Sequence, residues 1–473
     1  MFIHNIQCSL IRADLPGKVL TAGIDNFTTS IEAYYSAQAQ EMVPSCVVLP
    51  TTSLDVSNAI KILTAGFKSS DESCHFAIRS GGHTPGAGLN NINGGVTIDL
   101  SKLDAVIPSR DRSTVRVGPG NRWGGVYQRL DALNLTVLGG RSPTVGVGGL
   151  LMGGGLSFFS PRYGMSCNNV INYEIVLAGG KIVNANQHSY IDLYKALKGG
   201  SNNFGIVTSF DLRAVEVGEM WGGTAMYNTT ALPDLFERFS EFANSDGYDP
   251  YAQLTLLYGR AGRGNIVMTH QHYTKPEAPP QFVFAAFTPY QTSKTFRVAN
   301  LTNLVGELIA VPDGGTIRKA FASATYKNKP EMFHQFHKIA NATTDKLFDV
   351  PGLQFVISMQ PFGQFLTTKG LGDTFLGLEP KDGDRVIFAM TVSWKNKSDD
   401  ELVNSSLREL LEQGKTLSEE LDAADDYIFM NYASPWQDVY AGVGKKNRES
   451  LKMISKKYDP LQLFRKNVAG FRF

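Results

Sequence analysis

No apolar run in these 473 residues approaches the 18 or more that a membrane-spanning helix needs, so a helical span is excluded. Neither sign of charge dominates: 45 Lys and Arg against 44 Asp and Glu leave a net +1. The basic residues are scattered rather than striped, which argues against a nucleic-acid partner. Cysteine is scarce. Cys8, Cys46, Cys74 and Cys167 are too few for a disulfide framework and read as buried free thiols. Three phosphate and nucleophile signatures are also missing. No GxxxxGK[ST] occurs, no clean GxGxxG opens a helix with an acidic residue after it, and no GxSxG elbow anchors an esterase-type triad. No internal repeat or low-complexity segment is present, and 42% hydrophobic with 19% charged residues describes a soluble globular chain. The amino end, MFIHNIQCSLIRADLPGKVL, lacks the charged start and apolar core of a secretory signal, which reads as cytosolic. Seven N-x-S/T acceptors, from Asn26 to Asn404, pull towards the secretory pathway, and both compartments stay open.

Glycine, by contrast, is plentiful and concentrated. Six of the ten residues from Gly146 to Gly155 are glycine, within RSPTVGVGGLLMGGGLSFFSPRYGMSCNN, and their neighbours are apolar rather than linker-like. Glycine permits positive φ and close approach to the backbone at an entropic cost. Repeated here, it predicts a large group lying against the chain, an anion being the natural candidate because bare N–H groups form a phosphate nest. The alternative is a glycine-rich turn in a β-rich core with no ligand.

In chain order, residues 25–40 read as helix, VPSCVVLP as a strand, and Thr51 to Lys68 as a helix capped by Ser53, with Val56, Ile60 and Leu63 at helical spacing. Strands are predicted at Phe76–Arg79, Val96–Leu100, Thr114–Val117, Val170–Leu177 with KIVNA as its hairpin partner, and IVTSFDLRAV. Helices are predicted at Trp123–Leu133 and Ser189–Leu197. This alternation, punctuated by SGGHTPGAGL, the central stretch and GGSNNFG, outlines an α+β nucleotide-binding domain. From about Val217 the texture changes. Leu232–Ala243, Glu331–Ala340 and Asp400–Leu421 read as helices, and Ala252–Leu257, Ile266–Gln271, Phe282–Thr288, Leu353–Met359 and Arg385–Trp394 as strands. A sheet with helices on one face fits this order.

His83 is the most pointed residue, closing RSGGH before a proline-glycine turn. Such a histidine suits a metal ligand, a base or a nucleophile. No His, Cys or carboxylate stands at ligand spacing from it, so no metal is expected. His334 and His337 share a helix face without an acidic third ligand and read as a solvated surface. His270 and His272 fall on one side of a strand and receive a similarly bland reading.

FAIRSGGHTPGAGLNNINGGVTIDLSKL, the central stretch through VINYEIVLAGGKIV, KALKGGSNNFGIVTSFDL and NYASPWQDVYAGVGKKNRESLKMISKKYDPLQLF together resemble the FAD-linked oxidases of the vanillyl-alcohol oxidase superfamily, most closely the berberine-bridge-enzyme-like branch of fungal type. The resemblance runs in order over nearly the whole chain. It implies an α+β fold: a two-part PCMH-type FAD-binding domain from residues 1–215, a substrate domain with an antiparallel sheet covered by helices from 216–424, and a segment, 425–473, that returns to the FAD domain.

The same resemblance implies that Arg79, Ser80, Gly81, Gly82 and His83, with Thr84 and Gly88, wrap the flavin pyrophosphate. His83 is implied to bond the 8α-methyl group of the isoalloxazine. Ser142 stands where doubly linked relatives carry cysteine, which implies a single covalent link. Gly146, Gly148, Gly149, Gly153, Gly154 and Gly155 are implied to line the pyrophosphate and ribityl chain, with Ser157, Asn169 and Asn431 close by. Gly200, Asn203, Gly205, Ile206 and Val207 support the adenine side. Val145 matches a position that is valine in oxidases, which favours oxygen as acceptor. The cysteines resembling Cys8, Cys46 and Cys74 belong to extracellular relatives with a leader ahead of the first, and their pairing stays open.

The substrate side departs from the family pattern. Ala389 takes the place of a glutamate or glutamine on the strand ending at Trp394, and Phe429-Met430-Asn431-Tyr432 lacks the first tyrosine of Tyr-x-Asn-Tyr. Tyr432 is then the foremost candidate for a base or an orienting group. Gln360 is a further candidate, with packing as its plainer role. The expected function is an FAD-dependent oxidase, a monomer acting on a small molecule, preferably a secondary metabolite, with oxygen reduced to hydrogen peroxide. The alternatives are a flavin-containing redox-neutral cyclase or isomerase, a carbohydrate or alcohol oxidase, and a non-catalytic flavin-storage protein.

Overall fold

The computed structural model describes residues 5–70, 72–308, 317–370, 373–379 and 382–473. A four-stranded sheet has the order Val19–Leu20, Cys46–Val48, Val96–Asp99, Phe76–Arg79, and its last three strands are parallel. Val47, Val48, Phe76, Ala77, Val96 and Ile98 are all buried, the two-sided burial that parallel strands require. Helix Ser53–Lys68 packs Val56, Ile60 and Leu63 into the same core. Its cap is Thr52 rather than Ser53. The Asp55 N–H donates to Thr52 Oγ1 at 3.1 Å and the Thr52 N–H donates to Asp55 Oδ2 at 3.0 Å. An acidic residue three places on completes this capping box for Thr52, whereas Val56 occupies that place for Ser53.

Cys8 and Cys46 form a disulfide between helix Ile6–Asp14 and the strand Cys46–Val48, which corrects the free-thiol reading for that pair. The two meet because the first helix packs on Ser53–Lys68 and closes over the sheet, a tertiary contact that no spacing announces. Cys74 and Cys167 are buried free thiols.

A second, antiparallel sheet of five strands runs Val106–Pro108, Thr114–Val117, Ile206–Arg213, Val170–Val176, Ile182–Asn186. Helices Trp123–Asp131 and Ile191–Leu197 pack into its core, around Trp123, Tyr173, Tyr194 and Phe210.

The middle of the chain builds one nine-stranded antiparallel sheet. Its centre runs Met220–Tyr227, Gly264–Tyr273, Ala252–Ala261, Gln354–Pro361, Arg385–Trp394, Arg318–Lys327. Helices Leu232–Phe242, Pro330–Lys346 and Asp400–Glu420 cover one face. There Leu254, Leu256, Phe355, Ile357, Phe388 and Met390 meet Phe333, Phe336, Leu407 and Leu410. The last four are fully buried and contribute about 1.5–3 kcal/mol each.

Two of these strands, Met220–Tyr227 and Arg318–Lys327, escape the sequence reading because paired glycines and an Ala/Ser/Thr-rich run blur their alternation. The strand expected at Phe282–Thr288 is instead helical, Gln281–Phe284 followed by a 3₁₀ segment to Tyr290. Pro280 caps that helix, and Phe284 and Phe287, one helical turn apart, are buried against Phe242. The chain leaves the large sheet at Ala424–Asp425 and returns to the first two sheets. Val468 bridges Phe76, and Arg472 donates to the Oδ1 atoms of Asn202 and Asn203 at 3.0 Å.

Candidate functional site

The strand Phe76–Arg79 ends in the loop Ser80–Thr84, which lies directly on the central glycine stretch. A Cβ on Gly81 would stand 2.4 Å from Gly146 Cα, and one on Gly146 would stand 2.4 Å from Gly81 N. Only two glycines let these backbones meet. Gly82 adds a φ of +67° that turns the loop towards His83. Ser80 locks the junction: its Oγ accepts from the Gly148 N–H at 3.1 Å and donates to the Pro119 carbonyl. Among the described residues, the N–H groups of Gly81 and Gly82 meet no protein acceptor. Gly149 is exposed to the cavity, with no atom within 4 Å of where its Cβ would be. Bare backbone of this kind suits an anionic ligand.

His83 Nε2 lies 3.1 Å from Thr144 Oγ1, and its ring stacks on Tyr35 with centroids 3.8 Å apart. Burial, then the Arg122 and Lys319 charges, hold its pKa down to about 3, so the imidazole is neutral. Asn431 fastens the returning segment to the glycine stretch. Its Oδ1 accepts the Gly155 N–H at 3.0 Å, and its Nδ2 donates to the Gly149 and Leu150 carbonyls at 3.2 Å.

Several residues singled out from sequence support this backbone from behind. Arg79 turns away from the cavity onto Asp99, Ser30 and the Tyr34 ring. Ser157 is buried, its Oγ accepting from the Phe159 N–H, and Asn169 donates to the Tyr163 and Met165 carbonyls. Asn203 ties Gly200 to Tyr440 and Phe471. Gly88 takes a positive φ near Met42, and Gly153 packs under Asn431.

The cavity of about 440 Å³ is continuous with a second wall. Ser80 to Thr84, Val145, Gly146, Gly148, Gly149, Gly155, Gly205, Ile206, Val207 and Asn431 line one side. The uncovered face of the large sheet forms the other. Because side chains alternate along a strand, Gln253 and Thr255, His270 and His272, Ser358 and Gln360, and Ala389 and Thr391 all face the cavity while their neighbours face the helices. Tyr432, which packs edge-on against Phe429 at 4.9 Å, closes this end.

Gln360, for which packing is the plainer sequence reading, belongs to this wall, as does Arg141, to which the sequence reading gives no role. Arg141 Nη2 donates to Gln360 Oε1 and, at 3.1 Å, to the Tyr432 hydroxyl, which lies 3.4 Å from the same Gln360 oxygen. Arg141 carries the single formal charge among the described lining residues, which include no Asp, Glu or Lys. His270 and His272 also face inward, contrary to their bland reading. His270 Nδ1 lies 3.0 Å from Thr224 Oγ1, and burial with the Arg141 charge lowers its pKa to about 4. His272 is buried beside Phe158, its centroid 4.2 Å away, with neither ring nitrogen bonded, and its pKa is also depressed, first by burial. Trp394 faces the helices instead, donating to Asp400 Oδ1 at 2.8 Å. His334 pairs with Glu237 at 2.8 Å and His337 packs on Phe236, both away from the cavity. Among the described residues no group of three His, Cys, Asp or Glu forms a metal cluster.

Comparison with known proteins adds the following. A family model described as an FAD binding domain matches residues 44–186. The chain is 33% identical to the FAD-dependent monooxygenase drtC of Aspergillus calidoustus over 98% of its own length and 89% of that protein's. It is 34% identical to the FAD-dependent monooxygenase CTB5 of Cercospora nicotianae, over 93% and 98%. Among solved structures it is similar to wild-type BBE-like 1 of Physcomitrella patens, with a TM-score of 0.81 and 20% identity over 98% of each chain. It is also similar to the berberine bridge enzyme of Eschscholzia californica, with a TM-score of 0.77 and 18% identity over 98% of this chain and 99% of that one.

Proposed function

Because the chain belongs to the family of FAD-binding oxidoreductases to which these relatives belong, with the berberine-bridge-enzyme-like fold, we propose that it is an oxidase that takes a hydride from a small organic molecule and passes the electrons to molecular oxygen. The observation that carries the reading is the single cavity with glycine backbone on one wall and hydrogen-bonding side chains on the other. The residues present fit FAD: two loops of bare backbone meet at Gly81 and Gly146, and a neutral imidazole stands at their edge. When bound, FAD supplies a two-electron acceptor at N5.

Gly81, Gly82, Gly146, Gly148 and Gly149 are assigned to the pyrophosphate, Gly205 to Val207 to the adenine side, and Arg79, Ser157, Asn169 and Asn431 to holding those loops in place. His83 is assigned the single covalent link. Burial and two neighbouring cations keep its lone pair unprotonated, as a nucleophile needs. Val145, small and at the cavity wall, leaves room for oxygen. Tyr432, Gln360 and Arg141 orient the substrate, and the floor of the sheet excludes bulk water. In this reading residues 1–215 and 425–473 hold the cofactor and 216–424 the substrate. A secondary metabolite suits the cavity better than a sugar, since the described lining residues include no carboxylate to pair with vicinal hydroxyls.

Two measurements test the proposal. Denaturing precipitation should leave flavin with the wild-type chain and none with His83→Ala. Turnover in ¹⁸O₂ should release one hydrogen peroxide per substrate consumed and leave the product unlabelled. The relatives named monooxygenases support a second reading, oxygen insertion, and an ¹⁸O-labelled product without peroxide would replace the oxidase with it.

A further inference from the structure

Two parts of the chain far apart in sequence fix the His83 ring. Tyr35 lies flat on the imidazole, with ring centroids 3.8 Å apart and planes 20° from parallel. Lys319 Nζ stands 3.5 Å from the centroid of the same Tyr35 ring, a cation–π contact, and the Phe321 ring packs 5.8 Å from it. Lys319 and Phe321 belong to strand Arg318–Lys327 of the large sheet, and Lys319 is buried.

The short stretch from Tyr34 to Gln38 joins the two parts. Towards the His83 loop, the Tyr35 N–H donates to the Gly82 carbonyl at 3.1 Å, Ser36 Oγ to the Pro85 carbonyl at 2.8 Å and Tyr34 Oη to the Asn90 carbonyl at 3.0 Å. Towards the large sheet, the Ala37 N–H donates to the Ile317 carbonyl at 3.0 Å. The Gln38 side chain accepts the Lys319 N–H at 3.3 Å and donates to the Lys319 carbonyl. An imidazole turns about two side-chain bonds unless packing stops it. Here the stacked Tyr35 ring stops it, together with Thr144 Oγ1 at 3.1 Å from Nε2.

Resting on the reading of His83 as the point of covalent attachment, we propose that Tyr35 and Lys319 are positioning residues for that attachment, holding the imidazole at the angle from which a ring nitrogen meets the flavin 8α-methyl group. Attachment then requires the large sheet to be seated on the His83 loop. The covalent step balances. One C–H bond of the methyl group and the imidazole N–H bond break, the C–N bond forms, the two protons and two electrons reduce the flavin, and oxygen removes them as hydrogen peroxide.

Bond formation needs the reacting groups held to about 0.5 Å, a stricter demand than binding makes. The bare backbone of the glycine loops suits the phosphates, whereas the Tyr35 and Lys319 side chains converge on the imidazole. The charge also has the right sign: burial, then the Arg122 and Lys319 cations, keep His83 neutral.

The test adds FAD to the full chain produced in a riboflavin-starved host and follows two signals. Quenching of flavin fluorescence reads non-covalent binding, and flavin retained in a denatured pellet reads attachment. Tyr35→Leu and Lys319→Met should slow attachment roughly 10- to 100-fold, as a misplacement of about 1 Å does, while FAD affinity stays within about threefold. Tyr35→Phe keeps the stacked ring and should attach at the wild-type rate. Lys319→Arg keeps the charge and should recover most of the rate lost in Lys319→Met. Gln38→Ala, which cuts a tie to the large sheet without touching the imidazole, should also slow attachment. Wild-type rates in Tyr35→Leu or Gln38→Ala, or Lys319→Arg as slow as Lys319→Met, overturn the proposal. Attachment and FAD affinity that fall together overturn it as well, because the stack is then a general support of the fold. A wild-type pellet without flavin is a distinct result: it refutes the covalent reading of His83 itself, and the proposal with it.

Discussion

Removing Asn431 should cost more through what replaces it than through what is lost. Its amide accepts one N–H, from Gly155 at 3.0 Å, and donates to the Gly149 and Leu150 carbonyls, each at 3.2 Å. A hydrogen bond contributes about 1 kcal/mol net, so three would give at most about 3 kcal/mol at this half-buried position. Gly149 is open to solvent and can rebind water, which brings the expected cost of Asn431→Ala to about 2 kcal/mol. Asn431→Asp is nearly the same size and keeps the acceptor, yet it turns a carboxylate onto two carbonyl oxygens at 3.2 Å. That repulsion should make Asp the worse replacement, by about 1–2 kcal/mol relative to Ala. Urea unfolding followed by tryptophan fluorescence gives the stability order, and flavin absorbance of the purified proteins gives the parallel order of cofactor content. Aspartate as stable as asparagine would refute the amide-specific reasoning and reduce Asn431 to a space-filler.

Gly146→Ala should block the meeting of the two loops, since its Cβ lands on Gly81 backbone; flavin content should fall while the large sheet keeps its circular-dichroism signal, and a fully flavinylated variant would contradict the close approach. Reducing the Cys8–Cys46 disulfide, which closes a 38-residue separation, should cost roughly 4 kcal/mol by chain entropy, read as a lower urea midpoint. The depressed His270 pKa of about 4 makes the unfolded state bind more protons between pH 4 and 6.5. Its stability contribution is therefore present above pH 6.5 and lost as pH falls, at about 1.4 kcal/mol per unit, and His270→Gln should flatten that slope. An unchanged slope would show that His270 titrates normally. Phe388→Ala, in the core with Phe333 and Phe336, should cost about 3–5 kcal/mol without altering the flavin spectrum.

How far the fold is legible depends on whether the deciding contact is local. Helix Ser53–Lys68 and strand Arg385–Trp394 announce themselves by period, and the glycine run predicts close backbone contact before any partner is known. The cap at Thr52 is legible only if the Asp three residues on is weighed as well as the first Ser or Thr. Arg141 is different in kind. Its significance comes from Gln360 and Tyr432, 219 and 291 residues away, which no local pattern connects to it. His270 and His272 are visible as two residues on one side of a strand, but which side meets helices and which meets the cavity is settled only by Val267 and Tyr273 entering the opposite core. Phe282–Thr288 misleads because a short aromatic run between prolines satisfies either period.

The two cavity walls differ in what mutation can do to them. On one, the chain presents bare peptide groups to the cavity, so nearly every replacement at Gly81 or Gly146 is a steric loss and little new chemistry can be tried there. On the other, each strand offers the cavity every second side chain while the alternate ones keep the core intact. Gln253, Thr255, Ala389 and Thr391 can therefore be exchanged one at a time without disturbing either the packing behind them or the loops opposite, whereas Ser358 accepts from Gln360 Nε2 at 3.3 Å and is tied through it to Arg141. A scaffold built this way can acquire new substrates by small independent steps, and a library restricted to those four positions is the economical place to begin redirecting it.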